Sequence, residues 1–212
     1  MEVSWTQLRV YEECPRKYRL IFLEGKRIPL DAPSSLGLSL HRALEAYHRG
    51  EGELLERYDR LFVGGGYRDD AEKRRWHKKG RRHLEKYLER EQDRRARVLH
   101  SEYEFTRPLG RHVIRGMIDR VDELPDGGHE LVDYKLDRFG DPRPQLRFYA
   151  LGTAEKLKPR RLTVHYLALD ELESFDAEPA DAEAVTRTAD LIEAGKFDCP
   201  TGAACDHCRA PR

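Results

Sequence analysis

The middle of the chain changes its hydrophobic period, and this change most constrains the fold. Residues 99–107, 111–123 and 129–136 have the composition and period of β-strands. Asp126-Gly127-Gly128 supplies a turn between the last two segments, which are therefore predicted to form a hairpin. A continuous apolar run over 162–169 predicts one more, buried strand.

Segments with a helical period flank this strand region on both sides. Helices are predicted over residues 4–13, 37–49, 71–97, 144–157 and 181–194. The order of these elements predicts a mixed α/β (α+β) fold in which helices flank a central mixed sheet. A length of 212 residues fits one domain. Its helical part is predicted at 26–97, and its sheet core with one helix at 98–170.

Three charged side chains lie in the predicted strands, where apolar residues are expected. Asp133 and Lys135 are two positions apart, so they point to the same face of a strand. The hairpin pairing would place Asp119 near Asp133. A divalent cation between the carboxylates would explain this pattern, with the lysine facing a phosphate or a water. The alternative is an exposed strand face with cross-strand ion pairs.

These residues also carry a family resemblance. Gly116-x-Ile118-Asp119-Arg120-Val121-Asp122, followed by Val132-Asp133-Tyr134-Lys135, resembles the PD-(D/E)XK nuclease superfamily, and most of all its RecB-like exonuclease branch. Four further segments are similar to motifs of that branch and stand in the same order. They are Ser4-x-x-x-Leu8-x-x-Tyr11-x-x-Cys14-Pro15-x-x-Tyr18, Gly37-x-x-x-His41-x-x-Leu44-Glu45, Glu102 with Phe105, and Gln145-x-x-x-Tyr149.

The resemblance implies a restriction-endonuclease-like core with one metal site. His41, Asp119 and Asp133 would bind Mg²⁺ or Mn²⁺ together with the backbone carbonyl of Tyr134. Lys135 would orient or activate the attacking water and stabilise charge on the phosphate. Taken alone, His41 also fits a polar position on an amphipathic helix.

The resemblance adds three supporting residues. Gln145 and Tyr149 are four apart, hence on one helix face, and would support Lys135 or hold DNA. Taken alone, they also fit an ordinary helix surface. Glu102 would be the acidic residue of the preceding strand, with Glu104 as its rival.

The four cysteines stand near the two ends of the chain, as Cys14, Cys199, Cys205 and Cys208. Four thiolates suit a tetrahedral site, and without a signal peptide metal or redox use is favoured over disulfides. In the RecB-like branch one early and three late cysteines bind a 4Fe-4S cluster, so the resemblance implies such a cluster joining segments 1–25 and 197–212. The late spacing departs from that branch because its longer gap comes first. Zinc, with His207 as a spare ligand, and free thiols are the alternatives.

The net charge of zero, from 39 basic and 39 acidic residues, hides a segregation. Residues 68–97 carry a local charge of +6, and residues 167–195 carry −8. The basic segment fits either a solvated helix face or a groove for a phosphate backbone. The nuclease hypothesis places DNA along Arg16, Lys17, Arg19, Arg74, Arg75, Lys78, Lys79, Arg81 and Arg82, with the acidic stretch facing away.

The function predicted is a metal-dependent deoxyribonuclease, an exonuclease acting on single-stranded DNA or DNA ends, in repair, recombination or CRISPR adaptation. One alternative is a non-catalytic DNA-binding or assembly subunit. Another is a nuclease that acts only with a helicase or CRISPR adaptation proteins. The run Gly64-Gly65-Gly66 is not followed by Lys-Ser/Thr, so any motor must come from another protein.

The same sequence argues against a membrane partner. No stretch approaches the roughly 18 apolar residues of a membrane span. The start, Met1-Glu2-Val3-Ser4-Trp5, lacks the basic and apolar regions of a signal peptide, so a cytoplasmic location is expected.

Overall fold

A computed structural model describes residues 1–198 of the chain, which contain six strands and seven α-helices. The strands are β1 (Glu2–Ser4), β2 (Arg97–Leu109), β3 (His112–Glu123), β4 (His129–Lys135), β5 (Pro159–Tyr166) and β6 (Glu171–Asp176). The helices are α1 (Trp5–Glu13), α2 (Pro15–Tyr18), α3 (Ala32–His48), α4 (Leu54–Leu61), α5 (Asp70–Gln92), α6 (Arg143–Thr153) and α7 (Ala182–Glu193). A π-helical turn over Arg19–Leu23 follows α2. None of these helices combines the length and apolar character that a membrane crossing requires.

The six strands form one mixed sheet around β3. β2 pairs antiparallel with β3 along nearly its whole length. β1 pairs parallel with residues 113–115 of β3, and β4 pairs antiparallel with residues 120–123. β1 and β4 must therefore share the other edge of β3 and leave a gap between them. β5 extends the sheet parallel to β4, and β6 pairs antiparallel with β5.

Apolar side chains form one buried cluster on each face of the sheet. One cluster joins the sheet to α1, α6 and α7, through residues such as Leu8, Phe148 and Ile192. The other joins it to α3, α4 and α5, through residues such as Leu40 and Leu84. Each strand between these layers therefore presents successive side chains to two different groups of helices.

Local chemistry fixes the ends of several elements. Ser4 and Gln7 form a capping box at the start of α1. Asp31, Asp69 and Asp181 accept backbone hydrogen bonds at the starts of α3, α5 and α7. Leu124 and Gly128 close the β3–β4 turn through a hydrogen bond of 2.7 Å, and Gly127 takes a φ of 78° there.

The predicted central mixed sheet flanked by helices is confirmed, and so is the β3–β4 hairpin. The prediction of helix up to residue 97 was wrong, because α5 ends at Gln92 and Arg97 pairs with Glu123 in the sheet. The helix predicted over 144–157 ends at Thr153, and the strand predicted over 162–169 spans Pro159–Tyr166. Three elements, β1, α4 and β6, were not predicted from the sequence. β1 has only three residues, and β6 alternates charged side chains on a sheet edge, so neither carries a strong apolar pattern.

Candidate metal centre

The candidate site lies where β4 separates from β3. The ladder between these strands reaches the pair Arg120 and Val132 and goes no further. Beyond it, the backbone N–H of Tyr134 donates to Oδ2 of Asp119 over 2.6 Å. A carboxylate thus replaces the strand partner that this N–H would otherwise have, and it is fixed next to Asp133.

Helix α3 and strand β2 add two groups to Asp119. Nδ1 of His41 lies 3.4 Å from Oδ1 of Asp119. Glu102 stands opposite Asp119 in the β2–β3 ladder, between the pairs formed by Ser101 and Tyr103. Its φ of 51° is left-handed, a conformation that costs a non-glycine residue about 1 kcal/mol or more. Such strain is typical of functional sites.

Helix α6 supports the Asp133–Lys135 pair. Nζ of Lys135 lies 2.7 Å from Oδ2 of Asp133 and donates to Oε1 of Gln145 over 3.0 Å. Nε2 of Gln145 donates to Oδ1 of Asp133 over 3.1 Å and to the Tyr149 hydroxyl over 2.6 Å. One glutamine therefore holds the lysine, the aspartate and the tyrosine in a single arrangement.

Crowding of carboxylates shifts the titration of the site. Burial and the charge of Asp119 raise the pKa of Asp133 to about 6. Burial, Asp119 and Glu45 raise the pKa of Glu102 to about 7. Burial by itself lowers the pKa of His41, but the two aspartates outweigh it and raise that pKa to about 9. The site accumulates more negative charge than its own cations neutralise.

The donor set fits a divalent cation. Ligand atoms of His41, Glu102 and Asp119 lie within 4.8 Å of one another. Oδ2 of Asp133 is buried and forms an ion pair with Nζ of Lys135 at 2.7 Å. Two carboxylates and one imidazole are ligands that Mg²⁺ or Mn²⁺ accepts, and the predicted ligand Asp133 lies outside this group of three. A cation there would relieve the repulsion among the carboxylates.

Of the two acidic residues considered on β2, the structure brings only Glu102 to the cluster, while Glu104 is exposed. Close packing explains why the sequence motif has a glycine at residue 116. A Cβ there would lie 2.6 Å from the Phe105 ring and 3.3 Å from the Tyr149 ring. A side chain at residue 116 would displace the helix residue that contacts Gln145.

The predicted DNA-contacting cations lie on α5, on α2 and on the π-helical turn that follows α2. Arg74, Arg75, Lys78, Lys79 and Arg82 are exposed on α5. The other four predicted cations are either paired with an acidic residue or lie outside α5. Arg81 pairs with Asp59 over 2.6 Å, Lys17 of α2 pairs with Glu13 over 3.1 Å, Arg19 pairs with Glu24 over 2.9 Å, and Arg16 is exposed. The exposed face of α5 is therefore the larger of the two basic surfaces.

Of the four cysteines, the structure describes Cys14. It is buried between α1 and α2, and its Sγ accepts from the N–H of Lys17. Cys199, Cys205 and Cys208 lie outside the described residues, so the cluster predicted to join the two ends of the chain is not shown.

A second charged cluster, around Arg120, lies next to the site and was not predicted from the sequence. Arg120 is the largest of the fully buried side chains, with a relative exposure of 1%. It forms two hydrogen bonds with Asp122, at 2.7 and 2.8 Å. The sequence spacing could have predicted this pair, because Arg120 and Asp122 are two positions apart and must share a strand face.

Comparison with known proteins adds to this geometry. A family model described as the PD-(D/E)XK nuclease superfamily matches residues 2–212. No curated protein sequence matches the chain. The crystal structure of SSO0001 is 17% identical, with a TM-score of 0.38, and the match covers 74% of this chain and 73% of that one. The crystal structure of protein VC1899 from Vibrio cholerae is 13% identical, with a TM-score of 0.27, and the match covers 90% of this chain and 52% of that one.

Proposed function

Since the chain belongs to the PD-(D/E)XK nuclease superfamily, we propose that it is a metal-dependent nuclease that hydrolyses phosphodiester bonds of DNA at the cluster around Asp119. The observation that carries this proposal is the convergence of His41, Glu102 and Asp119 next to the Asp133–Lys135 pair. A structural role alone does not explain why ligand atoms of Glu102 and Asp119 lie within 4.8 Å of each other, next to the buried Asp133.

The residues of the site would divide two tasks between them, which are holding the metal and acting on the substrate. His41, Glu102, Asp119 and Asp133 would hold Mg²⁺ or Mn²⁺, with the carbonyl of Tyr134 as a further donor. When bound, such a cation lowers the pKa of a water ligand and offsets the charge of a phosphate.

Lys135 would act on the phosphate and on the attacking water. Its ammonium group is directed by Asp133 and Gln145, so it is oriented before substrate arrives. A fixed positive charge next to the phosphate stabilises the charge that develops in the transition state. Tyr149 holds Gln145 in place from the next turn of α6.

The first experiment measures cleavage of end-labelled single-stranded and duplex DNA with Mg²⁺, Mn²⁺ or EDTA. Lys135→Ala is expected to slow cleavage about 10²- to 10³-fold, because the oriented charge is lost. Glu102→Gln is expected to slow it too, whereas Glu104→Gln on the same strand serves as the matched control and keeps the wild-type rate. DNA binding without metal-dependent cleavage would instead support the non-catalytic subunit.

We propose further that the enzyme is a RecB-like exonuclease acting on single-stranded DNA or DNA ends. The order of motifs from Ser4 to Tyr149 supports this branch. Labels on the 5′ and on the 3′ end distinguish stepwise shortening from internal cuts. A circular single strand that is cut as fast as a linear one would contradict the requirement for ends.

A 4Fe-4S cluster on Cys14, Cys199, Cys205 and Cys208 is the cofactor we propose beside the catalytic metal. Phe197 supports it, because its ring stacks on Tyr18 at 5.7 Å and meets Tyr11 at 6.2 Å, and these two tyrosines flank Cys14 in sequence. The chain is thus directed toward the α1–α2 region two residues before Cys199. Iron, sulfide and zinc analysis of anaerobically purified protein decides between the cluster, zinc and free thiols.

We also propose that the chain works with a helicase or with CRISPR adaptation proteins, as its resemblance to the RecB-like branch implies. The cleavage rate of the isolated chain, compared with its rate in the presence of such a partner, tests this. Equal rates would contradict a need for the partner.

A further inference from the structure

Tyr134 connects the candidate metal centre to a buried polar network on the other face of the sheet. Its backbone N–H holds Asp119 on the side of the site. Its phenol points between α3 and α5, where the hydroxyl lies 2.9 Å from the Tyr87 hydroxyl and 3.3 Å from Nε2 of His48. The same residue therefore contacts both faces of the sheet.

Arg120 holds this network together. Its Nη1 donates to the Tyr87 hydroxyl and to Glu91, over 2.7 Å in each case. Its other nitrogens bind the carboxylate of Asp122. Because the guanidinium is buried and planar, these bonds admit one arrangement of the two phenols.

Helix α3 contacts Tyr134 at two successive points. His41 and His48 are seven residues apart, which places them on one helix face two turns from each other. The His41 ring packs edge-on against the Tyr134 ring at 6.1 Å, and His48 meets the hydroxyl. The position of this phenol therefore sets how closely His41 approaches Asp119.

We propose that Tyr134 is a positioning residue, whose hydroxyl, held by Arg120 and Tyr87, fixes His41 relative to Asp119 and so sets the affinity of the site for its metal. This inference rests on the proposed function. Groups that orient metal ligands from outside the coordination shell change metal affinity or activity about 10- to 100-fold when they are removed.

The test measures Mn²⁺ binding by calorimetry without DNA, together with the melting temperature. Tyr134→Phe removes the hydroxyl and keeps the ring, and Tyr87→Phe removes its hydrogen-bond partner without altering β4. Both are expected to bind Mn²⁺ about 10-fold more weakly. Tyr58→Phe is the matched control, because Tyr58 is buried in the same apolar cluster and its hydroxyl donates to the His77 carbonyl over 3.1 Å. It is expected to bind Mn²⁺ like the wild type.

Cleavage supplies a second readout. Tyr134→Phe should require more Mn²⁺ for half-maximal rate while the KM for DNA stays unchanged. If Tyr134→Phe does not fold, Tyr87→Phe decides the question.

Two results would overturn the inference. One is unchanged Mn²⁺ affinity in Tyr87→Phe and in any folded Tyr134→Phe. The other is an equal loss in Tyr58→Phe, because weaker binding would then follow from lower stability alone. Failure of the proposed function looks different, since wild type and Asp119→Asn would then bind Mn²⁺ equally.

Discussion

Strands β3 and β4 carry a buried charged cluster on each of their two faces, and the two clusters differ in how their carboxylates are held. The site cluster combines three carboxylates with one imidazole and one ammonium, and ligand atoms of His41, Glu102 and Asp119 lie within 4.8 Å of one another. In the cluster around Arg120, the carboxylate of Asp122 accepts from Arg120 and from Arg94. Glu130 accepts from Arg94 over 2.8 Å and from Thr163 over 2.5 Å.

This difference separates two uses of buried charge. A cluster whose carboxylates are all paired is closed, and breaking one pair leaves a charge without compensation. A cluster whose carboxylates and imidazole converge on one space is open and gains free energy by binding a cation there. Sequence alone shows acids in both places, and only the pairing distinguishes them.

The largest expected effect is on catalysis at the open cluster. Asp119→Asn removes one negative charge but keeps an oxygen that can accept from Tyr134. Cleavage of DNA is expected to fall by about 10³-fold, since a ligand charge is lost, while the melting temperature does not fall by more than a few degrees. A rate near the wild-type value would show that the open cluster is not the reaction site.

The next effect is on stability at the closed cluster. Arg120→Met leaves Arg94 as the one remaining cation of the cluster beside Asp122 and Glu91, so the free energy of unfolding is expected to fall by about 3 kcal/mol. Urea denaturation measures it. Arg111→Met is the control, because Arg111 pairs with Asp190 at an exposed site and should cost less than about 1 kcal/mol.

The closed cluster should also respond to acid. Burial, and then Arg90, lower the pKa of His165 to about 4, and His165 is buried beside Tyr87. The unfolded chain binds a proton below pH 6.5 and the folded chain does not, so stability is lost as the pH falls from 6.5 toward 4. The His165 contribution between pH 6.5 and 5 is about 2 kcal/mol.

Urea unfolding at both pH values checks this contribution. His165→Asn should reduce the loss of stability between them. The same loss in wild type and in the variant would show that His165 is not its source.

The smallest expected effect is on the KM for DNA, through the open space beside Gly37 on α3. Gly37 lies one helical turn before His41, and a Cβ there would meet no atom within 4 Å. Gly37→Ala is expected to raise the free energy of unfolding by about 0.5–1 kcal/mol, because alanine favours the helix. It should nevertheless raise the KM for DNA several-fold, since the added methyl group would narrow the space beside His41.

Gly80→Ala is the contrasting variant, because a Cβ at residue 80 would lie 2.1 Å from the Tyr58 hydroxyl and should destabilise the fold. Thermal melts and steady-state kinetics separate the two effects. An unchanged KM in Gly37→Ala would show that the substrate does not pass this turn of α3.

Much of the architecture could be predicted from local signals. The alternation in β3 and β4, the turn at Asp126-Gly127-Gly128 and the cap at Ser4 each act within a few residues, so they can be seen in the sequence. The pairing of Asp133 with Lys135 on one strand face has the same origin. Strand β1 could not be predicted in this way, because its three residues depend on a partner more than 100 positions away.

Local patterns in the chain limit which side chains can share a strand or helix face, and packing between distant segments selects the ones that meet. Glu102 and Glu104 are equivalent by alternation, but the left-handed backbone at Glu102 and its place opposite Asp119 select it. His41 reaches Asp119, and Gln145 reaches Lys135, only through the packing of α3 and α6 on opposite faces of the sheet. Whether a buried acid is paired or left to bind a ligand depends on contacts between distant segments, and periodicity does not encode such contacts.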